Sequence, residues 1–322
     1  MNVLLTGAFG NVGRNAIAEL VRRGHRVRCF DLHNRENIKI ARNLEKDIDV
    51  YWGDLRRKTD LAAAVAGQDA VLHVGYVIPK LSATGIGSED QPDWAREVNV
   101  GGTDNLIEAM QRYNPHARLV FTSSLHVYGR TQHQPPPRRV EETLQPVEHY
   151  ALHKVECERL VRGSGLIWSI FRLGAALPVR LIMDAGMFDV PLDNRIEFVH
   201  TRDVGYALAE ALESRQVWGK ILHIGGGKRC QLYYHEIVSA VLGVMGVGSL
   251  PAAAFTQVPY STDWLDTDES QSLLGFQRHT IADYIDDLKK ALGSLRYLIH
   301  SARPLVRSYL LNFSPYWHSQ RA

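Results

Sequence analysis

Two short segments of the sequence carry side chains that a single acid–base site can use together. Residues 122–124 supply three consecutive hydroxyls, and a phenol and an ammonium follow at Tyr150 and Lys154. On one helix, a four-residue offset places two side chains on the same face, with Cβ atoms about 5–6 Å apart. A phenol beside a cation loses its proton more readily, so this pattern indicates a tyrosine that transfers protons.

Electrostatic effects of ordinary size can lower the pKa of Tyr150 into the range that catalysis needs. Lowering a tyrosine pKa from about 10 to about 7 takes roughly 4 kcal/mol. One positive charge at about 5 Å, in an effective dielectric near 20, supplies roughly 3 kcal/mol. Lys154 is one such charge, and a positively charged nicotinamide ring would be a second. We therefore expect the phenol to work beside a nicotinamide cofactor.

The first residues of the chain predict a site for the pyrophosphate of such a cofactor. Residues 2–6 form an apolar strand, Gly7, Gly10 and Gly13 form a glycine turn, and residues 11–23 have the apolar periodicity of a helix. Glycines allow a tight turn and a close approach of the backbone, and a pyrophosphate then lies at the helix N-terminus. A glycine pattern alone is weak, but the strand before it and the helix after it make it specific.

Asp31 ends a second apolar strand at the position of a ribose-binding acid. It follows Gly13 at close to the roughly 20-residue spacing of dinucleotide-binding folds. Its carboxylate would accept hydrogen bonds from the adenosine ribose and repel a 2′-phosphate, so we expect NAD rather than NADP. His33 and Arg35 could partly neutralise a phosphate, and the alternative role for Asp31 is a turn residue at a strand end.

The order of these motifs resembles an extended short-chain dehydrogenase/reductase of the NAD-dependent epimerase/dehydratase family, over roughly residues 1–290. The segments that carry the resemblance are T-G-A-F-G-N-V-G from Thr6, G-D-L from Gly53, H-V-G from His73, V-N-V-G-G-T from Val98, T-S-S-x-x-V-Y-G from Thr122, Y-x-x-x-K from Tyr150, F-V-H-T-R-D-V from Phe198 and L-G-F from Leu274. The resemblance implies a doubly wound parallel sheet of the Rossmann type and a homodimer.

The same resemblance assigns roles to individual residues. It implies that Ser124, four positions before Tyr128, binds the reacting oxygen, that Tyr150 transfers the proton, and that Lys154 holds the nicotinamide ribose and lowers the pKa of Tyr150. It further implies that Asp54 and Leu55 flank the adenine, while Asn99 supports the active-site helix. The full set expected at the dinucleotide is Gly7, Phe9, Gly10, Asn11, Val12, Gly13, Asp31, Asp54, Leu55, Val74, Gly75, Tyr76, Asn99, Thr122, Tyr150 and Lys154.

Three classes of function are compatible with these residues. The first is an NAD-dependent oxidoreductase that transfers a hydride between nicotinamide and a secondary alcohol or ketone. The second is a sugar or nucleotide-sugar epimerase or dehydratase that retains its NAD. The third is a protein without catalysis, in which Ser124 would cap a turn and Tyr150 would be an ordinary helix aromatic; the presence of Lys154 disfavours it.

The substrate is less well specified than the chemistry. Relatives that act on nucleotide sugars carry an asparagine after the strand at residues 169–172 and a later arginine, and neither stands at the corresponding place here. The sequence therefore favours a smaller or more apolar alcohol or ketone. The residues weighed for this pocket are Arg180, Arg195 and Arg202 as substitute phosphate ligands, and Leu177, Met183, Met187 and Phe188 as an apolar lining that could equally be core.

The alternation of apolar strands with helical segments predicts an α/β fold with a smaller C-terminal substrate-binding lobe. We expect strands at residues 2–6, 26–31, 48–52, 70–74 and 118–123, and helices near 11–23, 59–66, 94–113 and 150–163. Residues 1–172 would form the NAD-binding domain, to which residues 198–227 return. Residues 173–197 and 228–290 would form the lobe. A proline-rich segment at 134–139 is expected to be an exposed loop.

Composition sets the remaining limits. A net charge of +2 is too small to indicate a nucleic-acid partner, and three cysteines without paired or metal-like spacing argue against disulfides and zinc. With no apolar run long enough for a membrane span and no room for a signal peptide before the first strand, we expect a cytoplasmic protein. Of the 14 histidines, His126, His149 and His153 lie near the catalytic positions, and none is expected to be the primary base.

The tail at residues 291–322 has no counterpart in the family. From Lys289 onward the sequence has six lysines and arginines and no acid, interleaved with aromatic and aliphatic residues. Such a segment could rest on an anionic membrane surface. We favour packing against the body or a sister subunit with solvated arginines, because Pro304 and Pro315 interrupt a single long helix.

Overall fold

The computed structural model describes residues 1–44, 47–80, 85–181 and 184–319, and within them it contains two β-sheets. The strands are β1 (Asn2–Thr6), β2 (Arg26–Asp31), β3 (Ile48–Trp52), β4 (Ala70–His73), β5 (Arg118–Ser124), β6 (Ile167–Leu173), β7 (Arg195–Glu197), β8 (Ile221–Ile224) and β9 (Gln231–Tyr233). The main sheet is parallel with the order β3-β2-β1-β4-β5-β6-β8, whereas β7 and β9 pair antiparallel.

Helices cover both faces of the main sheet and form much of the remaining chain. They are α1 (Asn11–Arg22), α2 (Arg35–Arg42), α3 (Lys58–Val65), α4 (Pro92–Arg96), α5 (Gly102–Tyr113), α6 (His149–Gly163), α7 (Thr201–Glu213), α8 (Tyr234–Val244), α9 (Asp268–Leu274), α10 (Ile281–Leu292), α11 (Leu295–Ser301), α12 (Arg303–Leu311) and α13 (Pro315–Ser319). A single π-helical turn, Glu97–Gly101, joins α4 to α5.

Strand β1 explains how the layers are held together. Alternate side chains of a strand point to opposite faces, so Val3 and Leu5 pack in one apolar cluster with helices α1 and α7, while Leu4 packs on the other face with α3 and α5. All three side chains are fully buried. A strand buried on both faces is typical of a doubly wound parallel sheet. The predicted fold class is therefore confirmed, and all five strand positions predicted for its first half are present.

The order of the strands creates a crevice where ligands bind in such folds. The chain runs outward from β1 to β2 and β3 and then returns to add β4 on the other side of β1. Loops leave these neighbours in opposite directions, which opens a cleft at the carboxyl ends of β1 and β4. Gly7 and Gly75 meet there: a Cβ atom on Gly7 would lie 2.5 Å from the Gly75 Cα.

The later part of the chain builds a second apolar core. It contains side chains from β7, α8, α10 and the tail, among them Phe188, Ile237, Leu288 and Leu310. The tail packs on this lobe as favoured, with Ile299 and Leu310 buried. The expectation that the arginines of the tail are solvated was wrong in part. Arg303 donates to the Val247 carbonyl at 2.9 Å, and Arg307 donates to the same carbonyl. In the described residues we find no helix with the length and apolar character to cross a bilayer.

Two local expectations need correction. The predicted helix over residues 94–113 is interrupted by the π-helical turn at Glu97–Gly101. The segment at residues 134–139 is exposed at Pro135 and Pro137, but Arg138 is 2% exposed and forms an ion pair with Asp263 at 3.4 Å. This arginine anchors the loop to the lobe, and its N–H donates to the Trp264 carbonyl at 2.7 Å.

Candidate active site

The glycine turn between β1 and α1 has the shape that a pyrophosphate requires. Gly7 has a φ of +64°, and a Cβ on Gly13 would lie 2.3 Å from the Gly7 carbonyl oxygen, so neither position admits a side chain. A Cβ on Gly10 would meet only the Gly7 oxygen, at 3.3 Å, which leaves its outer side open. Helix α1 has no side-chain cap and no acid in its first turn. The N–H groups of Asn11 and Val12 therefore face an open, electropositive helix end.

Asp31, expected to bind ribose, is held in place at the end of β2 by hydrogen bonds within the protein. One oxygen accepts from the Phe9 N–H at 2.9 Å, and the other accepts from the Leu32 N–H at 2.8 Å and the Asn37 amide at 3.1 Å. Burial nevertheless raises the pKa of this carboxyl above its ordinary value. The bond to Phe9 ties the ribose position to the glycine turn. These contacts fit an adenosine ribose and no 2′-phosphate.

The other residues expected at the dinucleotide make different contacts within the protein. Val74 and Gly75 donate their N–H groups to the Thr6 hydroxyl, at 3.2 and 3.1 Å, which fixes the end of β4 beside β1. Leu55 is buried. The Asp54 carboxylate forms an ion pair with Arg56 at 2.6 Å, which uses part of its hydrogen-bonding capacity.

Asn99 lies in the π-helical turn, and its side chain is directed toward the loop after β4. Its Oδ1 accepts from the Val77 N–H at 2.7 Å, and its Nδ2 donates to the Val77 carbonyl at 3.0 Å. Its backbone carbonyl accepts from the Thr103 hydroxyl at 2.6 Å and from the Cys157 thiol of α6 at 3.4 Å. Asn99 thus links the loop after β4 to the active-site helix.

The structure distinguishes the three consecutive hydroxyls at the end of β5. The Ser123 hydroxyl donates to the buried Glu158 carboxylate at 2.5 Å, and the Thr122 hydroxyl donates to the His73 carbonyl at 3.1 Å. The Ser124 oxygen accepts the His126 N–H at 3.3 Å, and its hydroxyl lies near enough to the Tyr150 phenol to oppose the rise in the pKa of that phenol. Ser124 is therefore the hydroxyl that the fold presents to the phenol.

Lys154 extends from α6 into a buried pocket beside the Tyr76 ring. Its ammonium donates to the Thr122 carbonyl at 2.6 Å and lies 3.3 Å from the centre of the Tyr76 ring. The distance from the ammonium to the Tyr150 ring centre is 5.7 Å. Such a contact with an aromatic face favours the charged form. Burial acts in the opposite direction and lowers the pKa of Lys154 to about 7.

The lowered pKa expected for Tyr150 is not a property of the protein groups alone. Burial raises the pKa of the phenol to about 12, and the hydrogen bond from Ser124 opposes only part of this shift. The Glu148 carboxylate raises it further. The expectation considered the charge of Lys154 but not the loss of water around the phenol, which disfavours tyrosinate. A second cation beside the phenol, as expected of a bound nicotinamide ring, would lower this pKa.

A family model described as the NAD dependent epimerase/dehydratase family matches residues 3–173, more than half of the chain. The chain belongs to this family. The assignment confirms the resemblance, and with it the NAD dependence expected from the sequence. The glycine turn, Asp31 and the cleft between β1 and β4 are formed by residues that suit this cofactor.

Similar proteins within the family include dehydrogenases and epimerases. The chain is 37% identical over 122 residues to a 3 beta-hydroxysteroid dehydrogenase/Delta 5-->4-isomerase of Mycobacterium tuberculosis, covering 38% of this chain and 31% of that protein. It is 30% identical over 189 residues to a bifunctional UDP-glucose 4-epimerase and UDP-xylose 4-epimerase of Arabidopsis thaliana, covering 55% of this chain and 52% of that protein. The chain thus spans about a third to a half of these curated relatives.

Solved structures of the family share the fold over nearly the whole chain. A UDP-glucose-4-epimerase from Stenotrophomonas maltophila with bound NAD is similar with a TM-score of 0.73 at 24% identity, covering 94% of this chain and 99% of that one. A UDP-glucuronic acid 4-epimerase from Bacillus cereus is similar with a TM-score of 0.75 at 19% identity, covering 91% and 99%. At these identities the similarity establishes the fold.

Near Tyr150, Glu89 was not found from the sequence, whereas His126 was weighed there without its contacts. Glu89, in the loop before α4, caps α6: its carboxylate accepts the N–H groups of His149 at 3.1 Å and Tyr150 at 2.9 Å. His126 lies edge-on to the Tyr150 ring with ring centres 5.7 Å apart, and its Nδ1 is 3.8 Å from the Glu148 carboxylate. That His126 nitrogen and the nearer Glu148 oxygen are buried without a hydrogen-bond partner among the described residues. For Glu148, the signal in the sequence was its position two residues before Tyr150.

The residues weighed for the substrate pocket have mixed outcomes. Arg195 is committed to Asp263 at 2.6 Å, Arg202 forms an ion pair with Asp287, and Arg180 lies 3.8 Å from Glu36. Phe188 is fully buried in the core of the lobe, while Leu177 and Met187 pack partly exposed against it. Met183 lies outside the described residues. His149 is exposed, whereas His153 is buried beside Asn99, and neither contacts the phenol.

Proposed function

We propose that this chain catalyses NAD-dependent hydride transfer between a carbinol and a carbonyl carbon, with Tyr150 as the acid–base group. One observation carries the proposal: of the three hydroxyls that end β5, Thr122 and Ser123 donate to other partners, and Ser124 is the one that acts on the Tyr150 phenol. Lys154 lies on the same helix with its ammonium fixed by the Thr122 carbonyl. This arrangement lies at the carboxyl ends of the strands, on the same side of the sheet as the glycine turn.

The roles of the residues follow from their chemistry. When bound, NAD supplies the hydride acceptor at the substrate carbon. Tyr150 removes the hydroxyl proton during oxidation and returns it during reduction. Ser124 donates a hydrogen bond to the same oxygen and stabilises its developing negative charge. When protonated, Lys154 places a positive charge near the phenol, which favours tyrosinate.

An epimerase or dehydratase that retains NAD is the second candidate, because the chain is 30% identical to a nucleotide-sugar epimerase over 189 residues. Against it, Arg195 and Arg202 are paired with acids and are not available to hold a diphosphate. The 37% identity to a 3 beta-hydroxysteroid dehydrogenase supports an apolar secondary alcohol instead. We therefore place the dehydrogenase first. The roles of residues 173–197 and 228–290 in substrate binding, a homodimer and a cytoplasmic location belong to the same proposal.

A substrate panel separates these candidates. Hydroxysteroids and nucleotide sugars are incubated with the protein and NAD, while NADH absorbance and the products by NMR are followed together. A dehydrogenase accumulates NADH in proportion to ketone, whereas an epimerase forms a new sugar without NADH.

Replacement of the phenol tests either reaction. Tyr150→Phe should lower turnover by about 10²–10⁴-fold, since general acid–base catalysis contributes that much. Tyr113→Phe, at a tyrosine that is 50% exposed on α5, serves as the control and should leave turnover unchanged. Unchanged turnover in Tyr150→Phe would remove this residue from the mechanism.

A further inference from the structure

The two helices that follow α10 expose an unusual amount of apolar surface. Leu295, Tyr297, Leu298, Leu305 and Tyr309 have exposed fractions of 41%, 62%, 67%, 75% and 54%. We call these five side chains the tail surface. Large exposed apolar residues elsewhere in the described part of the chain are scattered singly, which is normal for a protein surface. A cluster of them marks a contact with something else.

The tail surface lies on two consecutive helices that are joined by hydrogen bonds. Ala302 joins α11 to α12, since its N–H donates to the Leu298 carbonyl at 3.0 Å and its carbonyl accepts from Val306 at 3.1 Å. Positions 295 and 298 are about one turn apart on α11, and positions 305 and 309 are about one turn apart on α12, so each helix exposes apolar side chains on one of its sides. Ile299, Val306 and Leu310 pack against the lobe on the adjacent side. Packing within the chain thus covers the side that carries Ile299, Val306 and Leu310 and leaves the tail surface exposed.

The charges near the tail surface indicate what kind of partner covers it. From Lys289 to the end of the described tail there is no aspartate or glutamate, while Lys289, Lys290, Arg296, Arg303 and Arg307 are all basic. Lys289 and Lys290 are exposed at the end of α10, directly before the tail surface. A second copy of this surface would bring the same positive charges together, which disfavours self-pairing. An anionic surface is complementary to them.

We propose that the tail surface docks the protein on an anionic phospholipid bilayer, lying in the headgroup region without crossing the membrane. The leucines enter the boundary of the acyl chains, the two tyrosines lie at headgroup level, and the exposed Lys289 and Lys290 contact lipid phosphates. Apolar burial and electrostatic attraction together produce stable binding to an interface, whereas either one alone is weak. The packed face at Ile299 and Leu310 keeps the helices attached to the lobe.

Vesicle flotation of the full chain tests this proposal. With vesicles of roughly one part phosphatidylglycerol to two parts phosphatidylcholine we expect binding, and with phosphatidylcholine alone at least about tenfold less. The pair Leu298→Ser and Leu305→Ser should weaken binding by about tenfold or more, because two exposed leucines no longer enter the acyl region. Val258→Ser, at a valine that is 52% exposed on the lobe, is the matched control and should bind as the wild type does.

A charge variant and two further measurements complete the test. Lys289→Gln with Lys290→Gln should weaken binding to the anionic vesicles and reduce its sensitivity to salt. Thermal melting of every variant verifies that it folds. Equal partitioning of the wild type and the leucine variant, or no binding of the wild type to anionic vesicles, overturns the proposal. Sedimentation that shows a dimer lost in the leucine variant, without vesicle binding, overturns it in favour of a second copy.

Discussion

At the scale of single residues, conflicting effects act on the positive charge of Lys154. Its ammonium is bonded to a carbonyl and faces an aromatic ring, yet burial lowers its pKa from 10.5 to about 7. A buried cation whose nearest partners are neutral destabilises the folded state. The same charge is useful to the neighbouring phenol, and residues of this kind gather at functional sites.

This conflict predicts a pH dependence of stability. Between pH about 7 and 10.5 the unfolded chain holds a proton on Lys154 that the folded chain has lost, so the free energy of unfolding should rise with pH. In Lys154→Met this rise should be absent, because methionine does not ionise. Urea unfolding of both proteins across this range measures the difference. Parallel stability curves for the two proteins would contradict the cause assigned here.

Sequence reasoning succeeded at residues whose partners are near in sequence. Tyr150 and Lys154 lie one helical turn apart, so their spacing was enough to place them on one face of a helix, whereas Ser124 was expected beside them from the family resemblance. The pKa of Tyr150 was missed because burial depends on side chains from distant segments. Arg138 was expected to be exposed for the same reason, since its partner Asp263 is far away in the chain.

At the scale of elements, the N-terminus of α6 depends on a residue from another segment. Glu89 accepts from the N–H groups of both His149 and Tyr150, and no side chain within α6 or at its own N-cap position does so. The sequence gives no sign of this cap, because Glu89 lies 61 residues before Tyr150. The cap fixes the first turn of the helix, and therefore the backbone that carries the phenol.

Removal of this cap should loosen the first turn of α6. Glu89→Ala should cost about 1 kcal/mol of stability, the usual value for a lost helix cap. Amides at residues 149–152 should exchange hydrogen faster by mass spectrometry, whereas those later in the helix should be unchanged. Glu141→Ala, at an exposed glutamate, is the control. Unchanged exchange at residues 149–152 would show that the cap does not hold the helix start.

At the scale of the whole molecule, Glu197 joins the main sheet to the lobe. Its carbonyl accepts from the Ala175 N–H at 2.8 Å, just after β6, and its carboxylate accepts from the N–H groups of Gly227 at 3.0 Å and Leu265 at 2.7 Å. The residue is fully buried. Burial raises the pKa of this carboxyl to about 7, although the N–H donors act in the opposite direction.

The buried carboxyl predicts a second pH effect of opposite sign. Between pH 4.5 and about 7 the folded chain keeps a proton on Glu197 that the unfolded chain has released, so its contribution to stability is lost as the pH rises through about 7. Glu197→Gln should remove this fall with pH. It should also lower stability by about 1–3 kcal/mol, since an amide cannot accept every bond that the carboxylate accepts. Denaturant unfolding across this range checks both effects, and a variant with the wild-type slope would contradict them.

The pH dependence of NAD affinity tests the central claim most directly, because it requires no substrate. If a bound nicotinamide lies beside the Tyr150 phenol, its positive charge lowers the phenol pKa from about 12, and by linkage tyrosinate strengthens NAD binding. Calorimetry from about pH 7 to about pH 10 should then show NAD affinity rising with pH more steeply in the wild type than in Tyr150→Phe, in which Lys154 still titrates. The same pH dependence in both proteins, or no uptake of NAD, would contradict the account.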